Sequence, residues 1–167
     1  MIHYITGGTR SGKSSYAQKL ALNLTDKPVY LATAHHWDAD FEQRIKRHQQ
    51  DRDDRWENIE EERYPSRLEL QGRVVVLDCV TLWLTNFFSD TKYQVEETLS
   101  LIKAEFDKLA GIDAHWIIIS NEIGMGMHAD TEVGRKFADL QGWINQHIAL
   151  RADKVTFMVS GIPMQLK

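Results

Sequence analysis

The run Gly7-Gly8-Thr9-Arg10-Ser11-Gly12-Lys13-Ser14 constrains this chain more than any other feature of its sequence. It satisfies G-x-x-x-x-G-K-[ST] at every required position. Such a loop works in one setting, between a buried strand and the start of a helix. There the glycines let several backbone N–H groups turn inward, and the helix N-terminus adds a partial positive charge. The flanking residues supply that setting. Ile2 to Thr6 reads as an apolar strand, and a helix-forming run extends from about Lys13 to Asn23. A glycine turn with a chance lysine would need neither neighbour. Gly7 to Ser14 is therefore a candidate phosphate cradle, in which Lys13 reaches β- and γ-phosphates and the Ser14 hydroxyl suits Mg²⁺.

The rest of the chain repeats the strand-then-helix pattern, the signature of a mainly parallel sheet. Further strands are expected at Val29–Thr33, Arg73–Asp78, Trp116–Asn121 and Val155–Val159. Two amphipathic helices are marked by Val95, Leu99, Ile102, Phe106 and Leu109, and by Val133, Phe137, Leu140, Ile144 and Ile148. Apolar residues at spacings of three and four line a core-facing stripe. The expected architecture is α/β of the P-loop NTPase (RecA-like) type, a mainly parallel sheet flanked by helices, in one domain over residues 1–167.

Composition narrows the class without naming a chemistry. The chain has 167 residues, 43% hydrophobic and 26% charged. A chain of that size buries roughly 70% of its unfolded surface, so no disulfide or structural metal is needed. Cys79 is the only cysteine, which excludes an internal disulfide and a cysteine-rich zinc site. A net charge of −4 argues against a broadly basic nucleic-acid face. No apolar run is long enough for a membrane span, and the N-terminus lacks a signal-peptide layout, so a cytoplasmic location is expected.

A carboxylate at the end of a neighbouring strand completes the nucleotide reading. Asp78 closes the apolar run Val74-Val75-Val76-Leu77. Alone it could equally cap the following helix. Beside a phosphate loop it is expected to hold the water shell of Mg²⁺, together with Ser14.

The stretch from His35 to Arg63 is polar and heavily charged, and is expected to be helical from about Ala39 to Asp51. At 100° per residue, Ile45, His48 and Arg52 fall within about 40° of Phe41, with Arg44 beside them and Lys46 about 140° away. A neutral imidazole flanked by guanidiniums is a plausible phosphorus nucleophile. A solvated charged helix with one incidental histidine fits the same spacing. His3, His115 and His147 have no evident partner, and His35-His36 resembles a metal pair but lacks a spaced third ligand.

Taken as an ordered set, these segments resemble the bifunctional adenosylcobinamide kinase / adenosylcobinamide-phosphate guanylyltransferase family of cobalamin biosynthesis. The likeness runs from Thr6–Ser14 through Tyr30-Leu31-Ala32-Thr33-Ala34 and Arg44-Ile45-Lys46-Arg47-His48, with Arg52 and Trp56. It continues through Asp78–Asn86 and Ser120–Gly126 to Ser160–Lys167. The resemblance implies that ATP or GTP phosphorylates adenosylcobinamide. GMP from a second GTP then passes through a guanylyl-histidine to adenosylcobinamide phosphate, releasing pyrophosphate.

The family's R-I-x-x-H segment places the guanylylated histidine at His48, with Lys13 as the second catalytic group. Its nucleotide contacts fall on Gly7 to Ser14, Ala32, Thr33, Ala34, Gln49, Gln50, Asp51, Arg52, Glu60 and Asp78. Glu57, Glu61 and Glu62 crowd Glu60, and Phe41 stands where the family often has Met. The resemblance also implies a homotrimer, for which Trp83, Trp116 and Trp143 are interface candidates if they are not ordinary core. Asn121–Gly126 is expected to shape the site or a subunit contact. A kinase without the guanylyl step is the alternative; a GTP switch would carry N-K-x-D, which does not occur.

Overall fold

The computed structural model describes residues 1–35 and 53–167. Its centre is a seven-stranded sheet built from β1 (Ile2–Gly7), β2 (Val29–Ala32), β3 (Glu57–Glu60), β4 (Val74–Asp78), β5 (His115–Ile119), β6 (Lys154–Val159) and β7 (Ile162–Gln165). The spatial order is β3-β2-β4-β5-β1-β6-β7. Every pair is parallel except the β6–β7 hairpin. The mainly parallel P-loop architecture expected from the sequence is thus the one observed.

Strand alternation sorts side chains onto two faces. Ile5, Tyr30, Val76, Ile117 and Ile119 pack with Ala17 and Ala21 of α1 (Lys13–Leu24) on one face. Tyr4, Leu31, Val75, Leu77, Trp116 and Ile118 occupy the other. There they meet α2 (Val80–Asp90), α3 (Val95–Ala110) and α4 (Glu132–Arg151), through Trp83, Phe87, Ile102, Phe106, Leu140 and Ile144. Both faces of the central strands are covered, which is why these strands read as continuous apolar runs. Trp83 and Trp116 are fully buried core, whereas Trp143 is 41% exposed.

Among the described residues, α2, β3 and β7 were not anticipated, nor was the single 3-10 turn at Pro65–Arg67. α2 buries Val80, Trp83, Leu84, Phe87 and Phe88 and leaves Thr81, Thr85 and Ser89 half-buried along its other side. β3, Glu-Asn-Ile-Glu, is a polar edge strand with Ile59 as its sole apolar residue. β7 contains Pro163, which an edge strand tolerates because its N–H side need not pair. Ser160 (φ 51°) and Gly161 (φ 84°) make the two-residue turn that joins it to β6. Two histidines also have partners that the sequence hid. His3 Nε2 shares a hydrogen bond with Thr156 Oγ1 (2.8 Å), and His147 Nε2 meets Asp107 (2.8 Å).

Register then fixes where chemistry can occur. Glu60, Ala32, Asp78, Ile119 and Ile5 form one row across five neighbouring strands. That row lies at the carboxyl end of the sheet, where open α/β folds bind ligands.

Candidate active site

The phosphate loop leaves β1 through Gly7 (φ 151°), whose conformation and surroundings both demand glycine. A Cβ there would lie 2.5 Å from the Met158 carbonyl oxygen of β6. Gly12 (φ 93°) sits at the N-cap of α1 and supplies no side-chain cap, and the first turn has no acidic residue. The first N–H groups of the helix therefore stay open to an anion. The far side of the loop is pinned by Gly161 N–H, which donates to the Ser11 carbonyl (2.9 Å). Ser11 Oγ is buried without a hydrogen-bond partner among the described residues.

Lys13 is 7% exposed and folds back so that Nζ donates to the Gly8 carbonyl (2.7 Å). Burial lowers its pKa from the usual lysine value, while Cys79 and Asp78 act in the opposite sense. The amine thus sits on the loop itself, and a phosphate in the cradle can take over its hydrogen bond.

Asp78 comes to the loop from β4. Ser14 Oγ donates to Asp78 Oδ2 (2.9 Å), and the Tyr30 phenol donates to the same oxygen (2.6 Å). A hydroxyl and a carboxylate form a hard, all-oxygen pair of the kind Mg²⁺ prefers, so these residues fit that ion. Helix capping by Asp78 is not what the structure shows: Cys79 is the N-cap residue of α2, and no side chain caps it.

Ala32 ends β2 beside Asp78 and Thr33 and Ala34 follow it, but Thr33 faces inward. It is fully buried, and its Oγ1 donates to the Cys79 carbonyl (2.8 Å) and accepts from Cys79 N–H (3.0 Å). Asn86 Nδ2 of α2 donates to the Thr33 and Glu62 carbonyls (2.8 Å each). Together they tie the end of β2 to the residue after Asp78. The Cys79 thiol, buried and next to Asp78, is pushed up to about 12, which removes it as a thiolate nucleophile near neutral pH.

Glu60 ends β3, exposed, two strands from Asp78 in the same row. His35 Nδ1 lies 2.9 Å from Glu62, whose other neighbour is Arg63, itself paired with Asp90. No group of three metal-ligating side chains occurs among the described residues. His36, the helix expected at 39–51, Phe41, Arg44, Ile45, His48, Gln49, Gln50, Asp51 and Arg52 lie outside the described residues.

The loop after β5 is stitched to both sides of the site. Asn121 N–H and Nδ2 reach Thr81 Oγ1 of α2 (3.2 Å each), and Glu122 N–H donates to the Gly7 carbonyl (3.0 Å). Behind it Ser120, Gln141 and Asn145 form a buried hydrogen-bonded trio, and Asn145 Nδ2 holds the Asn121 carbonyl. Glu122 and Met125 also line a cavity of about 290 Å³ with Gly8, Ser11 and Ser160. Tyr30 and Asn86 carry no motif signal of their own in the sequence. Tyr30 was readable as a neighbour of Asp78 from strand alternation, once β2 and β4 were known to pair.

A glycine-rich loop, a lysine on it, an open helix N-terminus and a strand-end carboxylate bonded to the loop serine define a P-loop nucleotide-binding protein. The particular family follows from comparison with known proteins. The chain belongs to the cobinamide kinase / cobinamide phosphate guanyltransferase (CobU) family, whose model matches residues 3–166. It is 37% identical over 169 residues to the bifunctional adenosylcobalamin biosynthesis protein CobP of Pseudomonas aeruginosa, covering 98% of this chain and 95% of that one. It is 31% identical over 182 residues to the bifunctional adenosylcobalamin biosynthesis protein CobU of Escherichia coli, with both chains covered in full. The chain is an enzyme of this family.

Proposed function

We propose that this chain, acting as one P-loop domain over residues 1–167, carries out two successive transfers on a corrinoid. ATP or GTP first phosphorylates the hydroxyl of the aminopropanol arm of adenosylcobinamide. GMP from GTP is then passed to adenosylcobinamide phosphate, giving adenosylcobinamide-GDP, in the nucleotide-loop stage of cobalamin assembly. The observation that carries the reading is the Lys13–loop and Ser14–Asp78 geometry, in a chain that matches the family from end to end.

Each residue has a distinct role in this reading. The loop amides and Lys13 bind and orient the triphosphate, and Lys13 exchanges the Gly8 carbonyl for phosphate oxygen. Ser14 and Asp78 would hold Mg²⁺. When bound, that ion would neutralise charge on the phosphate oxygens. His48 attacks the α-phosphorus, an N–P bond forms, and the bond to the bridging oxygen breaks as pyrophosphate leaves with the electron pair. The phosphate oxygen of the acceptor then attacks the same phosphorus, and the imidazole departs restored. Gln49 to Arg52, Ala32 to Ala34 and Glu60 complete the nucleotide contacts in this reading, Thr33 through its backbone because its hydroxyl is engaged.

We place the enzyme in the cytoplasm as a homotrimer. No helix among the described residues is long and apolar enough to cross a membrane. Support for assembly comes from the β6–β7 hairpin, whose register puts Val159, Ile162 and Met164 on one face, 42%, 65% and 51% exposed. Such a contiguous apolar face is the kind that a subunit contact buries.

The test supplies adenosylcobinamide, ATP and GTP and resolves the products by chromatography. The wild type is expected to form adenosylcobinamide-GDP, and His48→Ala to stop at the phosphate. A wild type that also stops at the phosphate would establish the kinase-only alternative.

A further inference from the structure

We propose that Tyr30 is a positioning residue for the divalent cation, holding Asp78 Oδ2 so that the other carboxylate oxygen is left to face the cation's water shell. The inference rests on the reading of Ser14 and Asp78 as the Mg²⁺ site. Register explains why the phenol is there. Tyr30 pairs with Val76, and Asp78 follows two residues later on the same, α1-side face of the sheet. The ring is 4% exposed and its hydroxyl reaches Oδ2 at 2.6 Å. Trp56 braces the ring edge-on, with centroids 6.0 Å apart and planes at 80°.

Two donors converge on one oxygen, Ser14 Oγ and Tyr30 Oη, and no donor among the described residues reaches Oδ1. A carboxylate held by one partner turns easily about its broad terminal torsion. A second, rigid partner on the same oxygen fixes that torsion before the cation arrives. A serine that also ligates the cation cannot do this alone, because its own orientation changes with loading. Phenylalanine would fill the same apolar space, so the hydroxyl is what the position adds.

The experiment compares Tyr30→Phe with the wild type by calorimetric titration of GTP, once with Mg²⁺ and once in EDTA, and by Mn²⁺ binding followed by electron paramagnetic resonance. The variant is expected to raise the GTP Kd about tenfold with Mg²⁺ and to change it by less than about twofold in EDTA, with Mn²⁺ binding weakened in parallel. An equal change in both conditions, or none in either, would overturn the proposal. Trp56→Phe alters the packing around the ring but keeps an aromatic neighbour and the hydroxyl, and is expected to preserve the Mg²⁺-dependent part. If it loses that part as Tyr30→Phe does, packing carries the effect and the proposal fails. Asp78→Asn separates this proposal from its premise. A Mg²⁺ dependence that survives Asp78→Asn removes the cation site itself. One abolished by Asp78→Asn yet untouched by Tyr30→Phe removes only the role of Tyr30.

Discussion

Replacing Thr33 by valine tests whether the end of β2 is clamped to the residue after Asp78. The two side chains have nearly the same shape, so the change deletes a hydroxyl without opening a cavity. Thr33 is fully buried, and Cys79 N–H has the Thr33 hydroxyl as its partner at 3.0 Å. Leaving a buried N–H unpaired costs about 1–3 kcal/mol. The Cys79 carbonyl also loses the Thr33 donor, but it keeps Trp83 N–H at 3.0 Å, so its share is about 0.5–1.5 kcal/mol. The sum centres on about 3 kcal/mol, or roughly 6–12 °C in Tm for a chain of this length. Thr33→Ser keeps the hydroxyl and gives up one methyl, worth about 1 kcal/mol. Thermal and urea unfolding followed by circular dichroism are expected to rank wild type above Thr33→Ser above Thr33→Val. Because Cys79 follows Asp78, the valine variant should also bind Mg²⁺–GTP more weakly. Valine as stable as serine would refute the clamp. Unchanged stability with lost GTP binding would make Thr33 a nucleotide contact.

Two further substitutions probe the frame. Gly7→Ala would place a Cβ 2.5 Å from the Met158 carbonyl, a backbone atom that cannot swing aside. It is expected to cost about 2–4 kcal/mol in urea unfolding and to abolish GTP binding, whereas Gly8→Ala, which meets nothing within 4 Å, should leave stability close to wild type. His3 has its pKa lowered chiefly by burial, so the unfolded chain takes up a proton more readily than the folded one. Its stabilisation is complete above the ordinary value of 6.5 and is lost as pH falls below it toward the folded value. Urea midpoints are expected to fall between pH 7 and pH 5, less steeply in His3→Gln. An unchanged slope in that variant would exclude His3. The apolar hairpin face predicts that Ile162→Glu shifts light-scattering mass from trimer toward monomer, and a mass unaltered by that charge would place the subunit contact elsewhere.

What could be read from the sequence was whatever carried a local physical signal. The phosphate loop was complete in its residues because backbone curvature, the helix N-terminus and the lysine all act within a few positions. Strands buried on both faces, such as Val74–Asp78 and His115–Ile119, announced themselves as β-branched runs. β3 did not, because an edge strand that buries little needs few apolar residues. α2 did not, because its outer side carries the short, half-buried Thr81, Thr85 and Ser89 rather than charged residues, which mutes the periodic contrast. In the site, Asp78 was legible as a strand-end carboxylate. Its partner Tyr30 was not, since the hydrogen bond depends on β2 and β4 being neighbours, which is a property of topology. The same holds for Asn86, whose two carbonyl partners, Thr33 and Glu62, lie 53 and 24 residues away in sequence.

The central claim is a covalent guanylyl group on His48, and incubation with α-labelled GTP and Mg²⁺ tests it most directly. The wild type is expected to acquire label that is stable to alkali and labile to acid, with release of pyrophosphate. Addition of adenosylcobinamide phosphate should then move the label off the protein into adenosylcobinamide-GDP. His48→Ala should remain unlabelled. Label retained by His48→Ala, or a wild type that forms adenosylcobinamide-GDP without ever carrying label, would contradict the account.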